Sequence, residues 1–152
     1  ILRFLEMPII TPRVEFNNAD LSFSLKEKRK IRQFIQFIFN NEKQAAADVN
    51  YVFCSDEYLL KINRAFLQHD DFTDIITFNL AEEGEPVIGE IYISVERVQD
   101  NAKLYDVSAS KEILRVMFHG ALHLCGYRDK TPNEKQQMTA MEDFYLDRFS
   151  NA

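Results

Sequence analysis

The sequence is short of the residues that mark several common classes of protein. It contains no tryptophan, and its 152 residues include only 4 glycines, 4 prolines and 2 cysteines. So few glycines and prolines exclude a collagen-like or low-complexity chain, and a hydrophobic content of 46% argues against intrinsic disorder. Cys54 and Cys125 lie far apart and form no metal-type pair motif, so free cytosolic thiols are expected rather than a disulfide framework.

Long apolar runs and an excess of positive charge are also missing. No uninterrupted apolar stretch approaches the roughly 18 residues that predict a membrane span. The opening segment ILRFLEMPII lacks the basic region and small-residue cleavage site of a signal peptide, so we expect a soluble, cytoplasmic protein. The net charge of -6 differs from the basic footprint of a typical nucleic-acid-binding protein. Contact with a nucleic acid would therefore need a local basic patch or a metal.

Hydrophobic periodicity predicts an α+β (mixed α/β) fold. The length, with no repeat or linker, predicts a single domain over residues 1–152. The expected architecture is a roughly four-stranded mixed sheet packed with helices around a buried central helix. The predicted strands cover residues 14–16, 48–55, 74–80 and 87–94, the last two forming a hairpin. The predicted helices cover residues 24–40, 55–66, 94–104, a segment from 108 or 110 to 125, and 132–149.

The segment SKEILRVMFHGALHLCG, residues 110–126, predicts the buried central helix and carries two of the three histidines. Its apolar residues surround the helix axis almost completely, and Gly126 is placed to end it. His119 and His123 are four residues apart, so their imidazoles differ by about 40° and can share one cation. Gly120 costs about 1 kcal/mol relative to alanine within a helix. Either another element approaches closely there, or a side chain would obstruct the site.

A carboxylate completes the predicted metal site. Asp129 follows His119 by ten residues, and H-x3-H-x2-G-x2-D has the spacing of the H-E-x-x-H-x-x-G-x-x-H element of zinc peptidases. His119, His123 and Asp129 would leave a fourth position for water, whose pKa zinc lowers towards about 7. Gly120 stands where a peptidase carries its general-base glutamate. The alternative is two buried histidines that bond backbone or carboxylate partners.

The segment HGALHLCGYRD, residues 119–129, resembles the signature HGxLHLxGYDH of the YbeY family of bacterial, metal-dependent endoribonucleases. Four further segments, in order over about residues 50–145, resemble the family motifs LNxxY, PTDVLSF, GDIxIS and M-x3-E: INRAF at 62–66, FTDIITF at 72–78, IGEIYIS at 88–94 and MTAME at 138–142. The resemblance implies a mixed sheet packed with helices, a zinc ion in a cleft and cleavage of single-stranded RNA. It also implies a role at the 3′ end of small-subunit ribosomal RNA and in ribosome quality control.

Three positions depart from the family pattern. Asp129 stands where the family has its third histidine ligand, Arg128 stands where it has the preceding aspartate, and Leu67 stands where an arginine is common. Aspartate in place of neutral histidine lowers the charge of the ligand set by one, and Arg128 adds one back. We expect Arg128 to take up part of the phosphate binding that Leu67 cannot perform. The alternative is that Arg128 is a solvated loop residue.

Other candidate RNA contacts are spread along the chain. The run KEKRKIR at 26–32 is either a contact with the RNA backbone or a solvated helix face. Phe78 and Tyr127 are the expected stacking aromatics, and His69 is expected in a surface loop. Glu142 matches a family acidic position, with catalytic and ligand-orienting roles both open. The predicted substrate contacts are Asp74, Phe78, Glu90, Tyr127, Arg128, Lys26, Lys28, Arg29, Lys30 and Arg32.

The leading functional hypothesis is a single-strand-specific endoribonuclease with one Zn²⁺, acting in ribosomal RNA maturation. The expected partners are single-stranded or ribosomal RNA and the ribosome or its assembly factors, with no membrane and a monomeric chain. No catalytic side chain is assigned, since either a metal-activated water or an RNA 2′-hydroxyl can be the nucleophile. The alternatives are a zinc hydrolase of the metallopeptidase type and a non-catalytic assembly factor with a structural zinc. Gly120 argues against the first, and an open coordination position argues against the second.

Overall fold

The computed structural model describes residues 10–152, so nearly all of the opening segment ILRFLEMPII lies outside the described residues. The strands are β1 (Arg13–Asn18), β2 (Ala46–Cys54), β3 (Ile75–Asn79) and β4 (Val87–Ser94). The helices are α1 (Lys28–Asn41), α2 (Asp56–Ile62), α3 (Val95–Leu104), α4 (Ala109–Leu124) and α5 (Pro132–Ser150). Within residues 10–152, none of these helices combines the length and apolar character needed to cross a membrane.

The four strands form one mixed sheet in the order β1-β2-β4-β3. The pairs β1–β2 and β2–β4 are parallel, and β3–β4 is antiparallel. Parallel neighbours need a crossover connection, which α1 provides between β1 and β2. The short connection between β3 and β4 makes the expected hairpin. The predicted mixed α/β fold with a four-stranded sheet is confirmed.

Side-chain caps explain where most of the helices begin. Ser55, Ser94, Ser108 and Thr131 each accept a hydrogen bond from the backbone N–H three residues later. The start of the first helix was predicted wrongly, because α1 begins at Lys28 rather than near position 24. Glu27 adopts a left-handed conformation with φ of 57° and provides no side-chain cap. The left-handed backbone at Glu27 prevents α1 from extending further towards the N-terminus.

The central helix α4 packs directly against the sheet, and its inner face is fully buried. Gly120 lies at the closest approach, where an added Cβ would stand 3.0 Å from Ile75 Cδ1 and from Ile91 Cγ2. Close contact with the sheet is therefore the reason for a glycine inside this helix. Behind the contact, the buried Tyr51 hydroxyl of β2 donates a 2.9 Å hydrogen bond to the carbonyl of Met117. The sheet thus fixes the position of the helix two residues before His119.

The second helix ends in a π-helical turn, Asn63–Leu67, and Gln68 follows with a left-handed φ of 56°. Such turns interrupt the regular helix and re-aim the chain. Asn63 is buried, and its side-chain amide donates a 2.8 Å hydrogen bond to the carbonyl of Asp71. This bond anchors the loop of residues 68–74, which leads into β3.

Candidate metal centre and its cleft

The last two turns of α4 bring His119 and His123 together, with ring centroids 4.5 Å apart. Gly126, with φ of 100°, ends the helix, and the backbone N–H of Tyr127 donates to the carbonyl of Leu122. The chain then turns back and places Asp129 Oδ2 at 3.2 Å from Nε2 of both histidines. Among residues 10–152, these three form the one group of three or more His, Cys, Asp or Glu side chains whose ligand atoms all lie within 4.8 Å of one another.

The far nitrogen of each imidazole has a hydrogen-bond acceptor that fixes the ring. His119 Nδ1 lies 2.6 Å from Glu142 Oε2, and His123 Nδ1 lies 2.9 Å from the carbonyl oxygen of Tyr127. A carbonyl oxygen only accepts, so Nδ1 of His123 carries a proton and its Nε2 keeps a lone pair when the ring is neutral. Glu142 favours the same tautomer in His119. Both Nε2 atoms therefore point, ready to coordinate, towards Asp129.

The donor set fits a zinc ion. Zinc bonds of about 2.0–2.2 Å to nitrogen and oxygen in a tetrahedron separate neighbouring ligand atoms by about 3.4 Å. The two distances from Asp129 Oδ2 to the histidine nitrogens are both 3.2 Å. The side chains of His119, His123 and Asp129 are 21%, 28% and 38% exposed, so the group opens towards solvent. Three ligands on an open site leave room for a further ligand or a substrate oxygen.

Negative charge surrounds this group. Burial by itself lowers the pKa of His119, but the hydrogen bond and charge of Glu142, with Asp129 nearby, outweigh it and raise that pKa above its ordinary 6.5. Burial raises the pKa of Asp74 despite the opposing charge of His119. Burial likewise raises the pKa of Glu112. These buried carboxyl groups make the surroundings favourable to a cation.

The group lies in a cleft of about 1160 Å³, above the roughly 300–1,000 Å³ of most small-molecule pockets. The 68–74 loop and the turn before it supply Leu67, His69 and Phe72 to its lining, α3 supplies Asn101, and Tyr105 lies directly after α3. Asp74, Glu112, Arg115, Lys130 and Glu142 also line it. A cleft of this size and shape suits a segment of a polymer.

Only some of the residues predicted from the sequence meet here. Asp74 lines the cleft, where its Oδ2 accepts a 3.3 Å hydrogen bond from Asn101, and Glu142 holds His119. Phe78 packs edge-on between Phe66 and Tyr92, away from the cleft lining. Glu90, also outside the lining, accepts a hydrogen bond from the Tyr92 hydroxyl.

Tyr127 contributes its backbone rather than its ring. Its carbonyl orients His123, whereas its hydroxyl donates a 2.8 Å hydrogen bond to Glu42 on the far side of the turn. Burial, with that hydrogen bond to Glu42, raises the pKa of Tyr127 to about 12. The phenol is therefore committed to Glu42 and does not line the cleft.

The predicted basic contacts lie elsewhere. Arg128 lines a separate hollow with Glu42 and Glu134, whereas Lys130 lines the cleft. In the basic run, Lys30 Nζ stands 4.2 Å from the ring centre of Phe149, and Arg32 Nε donates to the Val14 carbonyl at 3.0 Å. Among the described residues that line the cleft, none belongs to the run 26–32.

Sequence reasoning missed Glu112, Arg115 and Lys130. The first two precede His119 by seven and four residues, so helical periodicity places them on the histidine face of α4. Arg115 donates to Glu142 Oε1 at 3.0 Å and to Asp143 Oδ1 at 2.8 Å, which holds Glu142 against His119. The same periodicity, followed back from the histidines, could have identified both residues.

Known proteins resemble this chain over most of its length. The family model described as "Endoribonuclease YbeY" matches residues 13–150. A protein named endoribonuclease YbeY from Cytophaga hutchinsonii is 47% identical over 131 residues, covering 86% of this chain and 92% of that protein. One from Flavobacterium johnsoniae is 42% identical, covering 83% and 90%. The solution structure of a Thermotoga maritima protein superposes with a TM-score of 0.63 at 26% identity, covering 90% and 89%.

Proposed function

The chain belongs to the endoribonuclease YbeY family, and from this premise we propose that it is a metal-dependent endoribonuclease that cleaves single-stranded RNA in ribosomal RNA maturation. The observation that carries the proposal is the convergence of two histidine Nε2 atoms and Asp129 Oδ2 in an open cleft. We further propose that the RNA is the 3′ end of small-subunit ribosomal RNA and that the enzyme also acts in ribosome quality control.

One Zn²⁺ is the proposed cofactor, held by His119, His123 and Asp129. When bound, it supplies Lewis-acid polarisation of an oxygen atom in the cleft. The chain's own residues prepare for this: Glu142 and the Tyr127 carbonyl orient the two imidazoles, and Arg115 holds Glu142. Asp129 brings a negative charge where the family pattern that this sequence resembles has a neutral histidine, which strengthens the attraction for a cation.

The charged residues of the cleft explain how a protein with a net negative charge can bind RNA. Asp74, Glu112 and Glu142 line it, and without a cation this charge repels phosphates. Lys130 lines the cleft, and its amino group forms no ion pair within residues 10–152. We therefore propose Lys130 as a phosphate contact inside the cleft. Arg128 stays a predicted contact for phosphates outside it, on the other side of the same turn.

Neither alternative function gains support. Gly120 is required for contact with the sheet, so the glutamate that a peptidase carries after its first histidine has no place there. A structural zinc would need a closed set of four ligands, and the group found in residues 10–152 has three. The relatives at 37–47% identity are named endoribonucleases.

The cellular setting is part of the proposal. We place the enzyme in the cytoplasm, as a monomer, with the ribosome or its assembly factors as partners. Cys54 and Cys125 are both free, and burial raises the pKa of each to about 12, which keeps them as unreactive thiols. A single domain over residues 1–152 is supported by the packing of all described elements around one sheet.

The proposal is tested by incubating zinc-loaded protein with an end-labelled, unstructured RNA, with and without a chelator. We expect cleavage to stop in the chelator and to return when zinc is restored. His123→Ala and Asp129→Ala should each lose bound zinc by elemental analysis, and His69→Ala, a cleft histidine outside the ligand group, should retain it. Full cleavage in the chelator would exclude the metal mechanism, and full zinc content in Asp129→Ala would remove that residue as a ligand.

The same assay separates the two proposed phosphate contacts. Lys130→Ala should weaken RNA binding and reduce its dependence on salt, because one phosphate contact is lost. Arg128→Ala should act on long RNA more than on short RNA, since its side chain lies outside the cleft. An unchanged affinity for RNA of every length in either variant contradicts the role of that residue.

A further inference from the structure

Two large aromatic side chains of the cleft are exposed to solvent, so they play no part in the hydrophobic core. Phe72 is 53% exposed and Tyr105 is 60% exposed, and both line the cleft that holds the metal ligands. We call this pair the aromatic rim. Neither residue belongs to either of the two buried clusters of the structure. Their position therefore calls for an explanation other than packing.

The ring of Phe72 is held in place from behind. The Arg97 guanidinium carbon lies 5.2 Å from the ring centre, within the range of a cation–π contact. Arg97 is itself anchored to Asp56, with Nη2 2.6 Å from Oδ2, and Asp56 accepts a further hydrogen bond from Ser94. Arg97 does not line the cleft, whereas Phe72 does. One face of the ring is thus covered by a cation, and the ring remains half exposed on the cleft side.

The backbone beside Phe72 is fixed as well. The buried Asn63 side chain donates to the carbonyl of Asp71, the residue directly before it. A loop residue held on both backbone and ring loses little further freedom when a ligand arrives. Phe72 is therefore preorganised as a flat apolar surface at the wall of the cleft.

Helix α3 continues the same wall. Asn101 lies on α3, Tyr105 directly follows the last residue of that helix, and both line the cleft. Arg97 precedes Leu104, the last residue of α3, by seven residues, so the residue that backs Phe72 lies about 10 Å along the helix axis from the end that carries Tyr105. Aromatic surface is thus present at two places along one wall, with the polar, metal-binding group in the same cleft. A chain of alternating phosphates and planar bases matches that arrangement of charge and apolar surface.

We propose that the Phe72 ring is a stacking platform for one nucleobase of single-stranded RNA, with Tyr105 as a second platform along the same wall. This inference rests on the proposed function and adds a base-binding subsite to it. Stacking on an aromatic ring tolerates every base, because each base has a π face. The subsite would thus favour unpaired RNA over duplex, whose bases are already stacked, without selecting a sequence.

The chain provides its own probe, because it contains no tryptophan. Phe72→Trp places a single indole at the platform, and its fluorescence reports stacking directly. Phe144→Trp is the matched control, since Phe144 is 41% exposed and has the Arg148 guanidinium 5.4 Å from its ring centre but does not line the cleft. Spectra are recorded immediately after zinc-loaded protein is mixed with an eight-nucleotide RNA or with an abasic strand of equal length.

We expect the RNA to quench Phe72→Trp, the abasic strand to leave it bright, and neither strand to change Phe144→Trp. In cleavage assays, Phe72→Leu should raise KM roughly 5- to 100-fold on short RNA, with kcat within about twofold. Phe72→Tyr should restore KM, and Phe144→Leu should match the parent chain.

Equal quenching by RNA and abasic strand would overturn the platform, and so would an unchanged KM in Phe72→Leu while the parent chain cleaves RNA. A parent chain that neither binds nor cleaves RNA would instead overturn the proposed function itself.

Discussion

Glu142 shows how much one carboxylate determines at this site. Its side chain is only 9% exposed, and its two oxygens are divided between partners: Oε2 lies 2.6 Å from His119 Nδ1, and Oε1 accepts from Arg115 at 3.0 Å. It contacts His119 but is not itself one of the three residues of the ligand group. Its effect on a bound metal is therefore indirect, through the orientation and basicity of His119.

Replacing Glu142 with glutamine tests this effect. Glu142→Gln keeps the size of the side chain but removes the charge that makes His119 a stronger donor. We expect zinc affinity to fall roughly 10- to 100-fold, measured by competition with a chelating dye.

Asp143→Asn is the matched control, because Asp143 also pairs with Arg115 yet does not contact His119. It should bind zinc like the parent chain. Equal losses in both variants would show that Arg115, rather than the contact with His119, governs the affinity.

At the level of elements, the contact between α4 and the sheet sets the position of both histidines. Gly120 lies between them in sequence, and its Cα faces Ile75 of β3 and Ile91 of β4. A larger side chain here requires either the two isoleucines or the helix to shift, and we expect the helix to move and to carry the two imidazoles with it. Stability and metal binding are therefore linked through one glycine.

Gly120→Val should destabilise the protein by about 1–3 kcal/mol through overpacking, measured by urea denaturation of the metal-free protein. Zinc affinity should fall in the same variant, because the ligands shift relative to Asp129. Lys111→Val introduces the same poor helix former at an exposed position of α4 and should cost well under 1 kcal/mol. A Gly120→Val protein as stable as the parent would show that the sheet yields to the added side chain.

The sequence predicted those elements whose signals are local. The period of apolar residues identified the central helix and the four strands, and the predicted helix starts at 55 and 94 coincide with the caps Ser55 and Ser94. The ligand group followed from spacing, because His119 and His123 lie on one helix and Gly126 turns the chain directly after them. Local signals of this kind need no knowledge of the packed structure.

Features that depend on how the elements pack against one another could not be predicted from local sequence signals. A period of two shows that Phe78 and Ile75 point to opposite faces of β3, but not that Ile75 meets the helix and Phe78 does not. In the turn after Gly126, Lys130 lines the cleft and Arg128 does not, a difference that follows from the path of the turn. The sequence does not indicate that Phe72 lines the cleft, because the exposure of its ring is a property of the assembled cleft.

For the molecule as a whole, the pH affects both folding stability and zinc binding through His119. Its pKa is raised in the metal-free protein, so protonated His119 stabilises the fold fully below the ordinary value of 6.5. That contribution is lost as the pH rises through the raised pKa. Zinc requires the neutral imidazole, so protons and zinc compete for the same ring.

The free energy of unfolding that saturating zinc adds should therefore increase from about pH 5.5 to about pH 8, by up to about 1.4 kcal/mol per pH unit for each proton displaced, and the gain in Tm should increase with it. Thermal unfolding with and without zinc across this range measures it. His69→Ala removes a cleft histidine outside the ligand group and should leave the slope unchanged. A gain that is independent of pH would mean that zinc displaces no proton from these residues.

The order of the site residues along the chain has a consequence for biosynthesis. His119, His123 and Asp129 leave the ribosome before Glu142, which belongs to α5, a later helix of the chain. Until α5 packs against α4, His119 lacks the Glu142 carboxylate that orients it, so we expect the candidate metal site to bind a metal tightly only after α5 has been made. An unfinished copy of an enzyme that cuts RNA thus has an incompletely oriented metal site while it is still attached to the messenger and ribosome that are making it.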